Sequence, residues 1–308
     1  MTQEIPNDAP VFIERYGSVR KLIAESGVTQ VQLADWRTQV LEGYRRLAEP
    51  LPDTMLWKTQ KPKHALDAEH DAREIAPFLG LNALETDVLC LLLTSHDLGR
   101  LVEAGRTVRK EPRAAWLHGT DSENEMKPIL DDVAETPFGH AMLLAIRHHS
   151  AAKPVTLADV DGNEAAWALA TVVRDVDKCE GFTQAEWYTA NEDTKEKQRH
   201  QNWPEQIKDD PEWGKEMGRI DPPEMLEIFE RHELIPRVKC RSYEAYMLQF
   251  LAWTFDIVHP EILKRTLTTG GPLVVRDYID RRLSDEPEQR LRFRAALKNW
   301  RNGLMAIT

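Results

Sequence analysis

The sequence predicts an all-α protein, and three observations carry that prediction. Apolar residues recur at three- and four-residue spacings through most of the chain. Alternating apolar–polar runs are scarce, and Pro272 to Val275 is the one short stretch that reads as β-like. No internal repeat with a period of about 20–50 residues is present, which removes solenoids and propellers. The elements follow in order. Val11 to Ala24 places Val11, Ile13, Tyr16, Val19, Leu22 and Ile23 at mixed three- and four-residue spacings, and Val31 to Leu47 repeats the pattern with Leu33, Trp36, Val40, Leu41, Tyr44 and Leu47. Pro50, Pro52 and Pro62 punctuate a connector. Further helices are expected near 64–79, 84–96, 123–133, 138–149, 164–180, 223–232, 242–256, 259–267 and 286–303. Gly80, after Phe78 and Leu79, suits a helix C-cap. Asn163 suits the N-cap of the helix whose apolar face starts at Ala165, Ala166 and Trp167. Leu251, Trp253 and Phe255 read as core.

The stretch 191–222 is rich in charge, Pro and Trp, and reads as a charged insertion or lid rather than a core element. The expected organisation is an N-terminal helical extension at 1–55, a core at 56–190, the insertion at 191–222, and a C-terminal helical region at 223–308 packing on the core.

Charge and cysteine content narrow the function. Lys plus Arg number 40 and Asp plus Glu 51, giving a formal charge of -11. That balance argues against a nucleic-acid polymer or an anionic membrane as partner, since both need a basic surface. Cys90, Cys179 and Cys240 are far apart and form no CxxC, which reads as reduced thiols and a cytoplasmic protein. The first residues lack a basic start followed by an apolar run, so no signal peptide is expected.

The histidines are the informative feature. Of ten, seven fall between residues 64 and 149: His64, His70, His96, His118, His140, His148 and His149. Thr86 to Gly99 reads TDVLCLLLTSHDLG, a helix apolar all round that ends in His96-Asp97. A carboxylate at the end of a buried helix needs a compensating cation, helix cap or metal, because burying it unpaired costs several kcal/mol, about 3–5 by the usual measure. Asp175 and Asp177 interrupt a second apolar helix, and His148-His149 end a third. Imidazoles and carboxylates converging from three buried helices are what a divalent first-row metal requires. His70 lies six residues after His64, and so about 240° further round the same helix, away from its face. It and His140 read as non-ligands.

The order His64, His96-Asp97, Asp177 resembles the HD superfamily of metal-dependent phosphohydrolases. The stretch HALDAEHDAREIAPFLGLNALETDVLCLLLTSHDLGR has the family's texture, and RDVDKCEGF is similar to its second acidic segment. HDLGR, His118-Gly119, AIRHHS and LAWTFD resemble a branch of that superfamily carrying extra histidines. The resemblance spans roughly residues 60–280. It implies an HD-domain helical core with additional N-terminal and C-terminal helices. It also implies a metal site drawn from His64, His96, Asp97, His118, His148, His149 and Asp177, with Asp97 bridging two ions and one ion as the alternative. Which of His148 and His149 ligates stays open. Asp97 and Asp175 are the catalytic candidates, Asp175 acting behind the ligands.

A site rich in neutral imidazoles keeps net positive charge and acidifies bound water, so hydroxide is the expected nucleophile. No GxSxG, P-loop, GxGxxG or CxxC offers another chemistry. The expected cofactor is a divalent transition metal, Mn, Fe or Co, with Mg or Zn also admissible. The expected partner is a small phosphorylated substrate, a nucleotide being one class, and a homodimer is one assembly the extra helices would allow. Arg100, Arg147 and Lys178 are the candidate phosphate contacts, whereas Arg106, Arg109, Lys110 and Arg113 read mainly as a solvated face. The rival reading is a mixed-valent di-iron oxygenase of the same superfamily that cleaves a C–C or C–P bond. It would use His64, His96, Asp97, His118, His149 and Asp177. A degenerate domain serving as sensor or scaffold is the third.

Overall fold

The computed structural model describes residues 9–111, 118–150, 154–190 and 217–305. Among them the regular structure is helical and no strand occurs, as the periodicity predicts. The chain divides into two compact units, Met1–Glu180 and Gly181–Thr308. No described helix is long and apolar enough to cross a membrane.

The first unit holds α1 (Ala9–Ser26), α2 (Gln30–Ala48), α3 (Leu56–Ile75), α4 (Ala83–Ser95), α5 (Leu98–Val108), α6 (His118–Leu130) and α7 (Pro137–His148). It also holds most of α8 (Glu164–Ala190), which continues into the second unit. Caps explain the starts. Thr29 and Gln32 form a capping box on α2, Asn82 and Glu85 another on α4, and the Asn163 side chain accepts the Ala166 N–H at 3.0 Å. Gly80 has φ +66° in the turn after α3, a conformation only glycine adopts without cost.

The centre of this unit is α4. Val88, Leu89, Leu91, Leu92 and Leu93 are buried on every side, with α3 and α2 packed against it. At about 1.5–3 kcal/mol per large apolar side chain, that burial amounts to on the order of 10 kcal/mol. It is large enough to carry polar groups at the helix end into the interior.

Three local expectations are corrected. The connector was expected to run through Pro62, but α3 begins at Leu56 and continues through that proline. The helix gives up one backbone hydrogen bond there and gains a turn ahead of His64. The Arg-rich stretch after the His-Asp pair is a helix, α5, and α6 begins at His118, earlier than expected.

The second unit contains α9 (Glu224–Glu230), α10 (Tyr243–Ala252), α11 (Pro260–Thr268), α12 (Gly271–Arg282) and α13 (Pro287–Met305). Its core is α10, buried all round and packed against α12 and α9. Pro272 to Val275, read as β-like, is instead the first turn of α12. Pro272 is the second helical residue, within the first turn whose N–H groups have no partner in the helix, so it loses no hydrogen bond and presets φ. Leu251 is buried as expected, while Trp253 and Phe255, in a 3₁₀ turn, are only partly covered. Of the expected charged lid, 191–216 lies outside the described residues, as does Arg113.

Candidate metal centre

Six helices deliver the candidate ligands. His64 lies in α3. His96 caps the C-terminus of α4, Asp97 precedes α5, His118 opens α6, His149 caps α7, and Asp177 lies in α8. Asp97 stands at an N-cap position yet makes no capping bond, so its carboxylate is left for the cluster.

Two glycines allow the close packing that assembles the set. A Cβ on Gly99 would lie 2.1 Å from the His118 carbonyl oxygen, and one on Gly119 would lie 2.2 Å from the Arg147 carbonyl oxygen. Glycine at these positions lets α5 touch the start of α6, and α6 the end of α7. Ser122 clasps the same junction. Its hydroxyl donates to the His96 carbonyl at 2.5 Å and accepts the Gly99 N–H at 2.8 Å.

The result is a buried row of imidazoles, His64–His96–His149–His118. Successive ring centroids are 5.1, 4.9 and 5.1 Å apart. Asp97 spans the row with its two oxygens. Oδ2 is 3.4 Å from His64 Nε2 and 3.7 Å from His96 Nε2. Oδ1 is 3.7 Å from His118 Nε2 and 3.8 Å from His149 Nε2. Asp177 Oδ1 adds a second carboxylate, 3.1 Å from His64 Nε2 and 3.3 Å from His96 Nε2. Within each of three groups the ligand atoms lie within 4.8 Å of one another: His64 with His96 and Asp97, His96 with His149 and Asp177, and Asp97 with His118 and His149. This buried cluster could hold a metal ion.

The donor chemistry fits that role. His96 Nδ1 donates to the Leu93 carbonyl at 2.6 Å and His149 Nδ1 to the Ile146 carbonyl at 2.6 Å, while His64 Nδ1 binds the Glu180 carboxylate. With Nδ1 protonated, each of these rings turns a lone pair on Nε2 inward, the tautomer a cation needs. His64 Nε2 and His96 Nε2 then face each other at 3.2 Å. His149 Nε2 and His118 Nδ1 are buried with no hydrogen-bond partner, an expensive condition that a ligand to His149 would relieve.

Electrostatics divide the row. Burial pushes the His118 imidazole well below its ordinary value, with Arg100 adding to the effect, and burial likewise lowers His149. His64 goes the other way. Burial opposes its charge, but the Glu180 carboxylate and the hydrogen bonds to Asp177 and Glu180 together outweigh it and raise it to about 10. Asp97 is held well below the carboxylate range because Lys61, His96 and Arg100 overcome its burial. Asp177 is held there by the neighbouring His64 and His96, which outweigh its burial.

Other candidates lie elsewhere. His148, the residue next to His149, is about 100° round the helix from it and is partly exposed outside the three groups. Of the two, His149 is the one that joins a group able to hold a metal ion. Arg147 is exposed and held by Glu123, with nitrogen–oxygen distances of 2.5 and 2.6 Å. Asp175 is buried, but two residues turn it about 200° away from Asp177, and it joins none of the three groups. Lys178 is buried beside Asp177 on α8. Arg100 does reach the cluster. Its Nε is 3.6 Å from Asp97 Oδ1, with Glu103 at 3.2 Å and the Trp57 ring 5.7 Å beneath. Arg106 forks onto Asp121 and Arg109 pairs with Glu111. His70 is exposed beside Glu74.

Three participants are absent from the sequence reading. Lys61 Nζ binds Asp97 Oδ2 at 2.6 Å. Glu180 holds His64, and its position three residues after Asp177 on one helix was the available signal. Tyr44 buries a hydroxyl that has no partner, and burial together with the Asp97 and Asp177 charges raises its pKa well above 10.0. Nothing in the α2 stripe marks Tyr44 as other than core. Compared with family models, curated proteins and solved structures, the chain matches none.

Proposed function

We propose that this protein is a metal-dependent phosphohydrolase of HD type that releases phosphate from a small phosphorylated metabolite, with nucleotides the first class to test. One observation carries the reading. Asp97 offers one oxygen to His64 and His96 and the other to His118 and His149, the arrangement of a carboxylate shared between two ion sites. Bound divalent ions would supply a Lewis acid for the phosphoryl oxygens and a water acidic enough to attack near neutral pH.

The chain's own residues then have distinct tasks. His64, His96, His149, His118, Asp97 and Asp177 hold the ions. Glu180 and the Leu93 and Ile146 carbonyls fix three of the imidazole tautomers. Arg100 stands beside Asp97 with its side chain 20% exposed, so its guanidinium is accessible to an anionic substrate oxygen. The low polarity set by α4 strengthens these interactions.

The test is phosphate release from a panel of nucleotides and sugar phosphates with Mn, Fe, Co or Mg, using Asp97→Ala as the blank. Release by wild type alone supports the proposal, and silence across the panel removes it. A second reading, oxygen-dependent cleavage by a mixed-valent di-iron centre, draws on the convergence of all four histidines and both aspartates. Bound di-iron with substrate-dependent oxygen uptake would select it.

A further inference from the structure

The ammonium of Lys61 lies where the proposed centre needs a cation. α3 carries Lys61 one turn ahead of His64, and its Nζ is 2.6 Å from Asp97 Oδ2. That oxygen also faces His64 Nε2 at 3.4 Å and His96 Nε2 at 3.7 Å. The Lys61 side chain is 12% exposed and that of Asp97 6%, so solvent screens the pair weakly. Arg100 differs. It approaches the other oxygen, at 3.6 Å, and has Glu103 as a second partner at 3.2 Å. Lys61 therefore contacts the oxygen that His64 and His96 would share with an ion.

Two consequences follow from the charges. Without a metal, Asp97 is a buried carboxylate whose closest positive charge is Lys61, with Arg100 and His64 further off, so losing Lys61 removes its shortest compensating contact. With a metal, a divalent ion and an ammonium compete for one oxygen and repel each other. We propose that Lys61 is an internal counter-cation of the centre. Its ammonium neutralises Asp97 while no ion is bound and yields Oδ2 when one binds, so it steadies the metal-free fold and lowers metal affinity. This rests on the metal-binding reading above. The device would let the protein fold before it is loaded and would hold the ion less tightly than the bare ligand set could.

The test uses full-length wild type, Lys61→Met and Lys61→Gln, each stripped of metal and titrated with Mn²⁺ by calorimetry, with melting recorded before and after. Lys61→Met is expected to bind Mn²⁺ about tenfold or more tightly than wild type. It should also melt lower when metal-free and gain more on Mn²⁺ addition. Lys61→Gln keeps a donor toward Oδ2 without the charge, so it should show the same tightening and serves if the Met variant does not fold. Wild-type or weaker Mn²⁺ affinity in the folded variants overturns the counter-cation while leaving the metal reading intact. A wild type that binds none of Mn²⁺, Fe²⁺ or Co²⁺ overturns both.

Discussion

Gly99→Ala is the sharpest test of how the site is assembled. The added methyl would lie 2.1 Å from the His118 carbonyl oxygen, 2.7 Å from the Ser122 nitrogen and 2.8 Å from Asp121 Cβ. Two of these atoms are backbone and the third is a Cβ, so no flexible side-chain tip can give way. Reaching an ordinary contact distance requires the start of α6 to retreat by about 1.3 Å. Overpacking of this kind costs about 1–3 kcal/mol. The retreat also strains the Ser122 clasp, whose two hydrogen bonds are 2.5 and 2.8 Å long and contribute about 1 kcal/mol each. A total near 3 kcal/mol corresponds to a fall in Tm of about 6–12 °C for a unit of this size. His118 sits at the start of the displaced helix, 3.7 Å from Asp97 Oδ1, so the His118–His149 side should lose its ion before the His64–His96 side does. The assay is melting of metal-free protein followed by metal content after loading and desalting. A Tm within about 2 °C of wild type together with unchanged metal stoichiometry would refute the close-packing argument.

Five further outcomes are expected. Loading metal at pH 7 should release about one proton from His64, whose Nε2 must be deprotonated to ligate and whose pKa lies at about 10 in the metal-free protein. Affinity should rise with pH up to that value, and calorimetry in two buffers of different ionisation enthalpy reads the proton count. In the metal-free protein the same raised pKa contributes stability that is complete below the unfolded value of 6.5 and lost as pH climbs through about 10; a flat stability profile over that window would contradict it. Glu180→Gln removes the largest of the influences that raise His64, so proton release at pH 7 should fall, and persistence of the full release would place the proton elsewhere. Tyr44→Phe deletes a buried hydroxyl without a partner, so stability should be unchanged or higher by about 1 kcal/mol; a loss of that size would show that the hydroxyl is satisfied in solution. His148→Ala should leave metal content at the wild-type level, and loss of an ion would return His148 to the ligand set.

Much of the site was legible because each ligand interrupts an apolar helix or stands at its end. His96-Asp97 after Val88 to Leu93, Asp177 within Ala165 to Cys179, and His149 after Met142 to Ile146 all break a buried pattern, and burying polar groups without a purpose is costly. What was missed lies where that contrast fails. Lys61 stands before a proline that appeared to end a connector, and it joined the centre only because α3 tolerates Pro62. Tyr44 shares its stripe with ordinary core residues. The separation of His148 from His149 follows from the register of α7, which two adjacent identical residues cannot reveal. α5 was hidden because its Arg-rich face suppressed the apolar signal, although Leu98, Leu101 and Ala104 keep helical spacing and are buried.

The placement of His96 and His149 shows why helix ends suit such a centre. The last four carbonyls of an α-helix have no partner within the helix. At the end of α4 the Leu93 carbonyl takes the His96 Nδ1–H, and at the end of α7 the Ile146 carbonyl takes the His149 Nδ1–H, both at 2.6 Å and both three residues back. One short bond thus satisfies a buried carbonyl, fixes the imidazole tautomer and turns Nε2 toward Asp97. His64 is in mid-helix, and it obtains the same orientation from a charged partner, Glu180 on α8. That carboxylate is also the largest of the influences that raise the His64 pKa against its burial, whereas burial lowers His149.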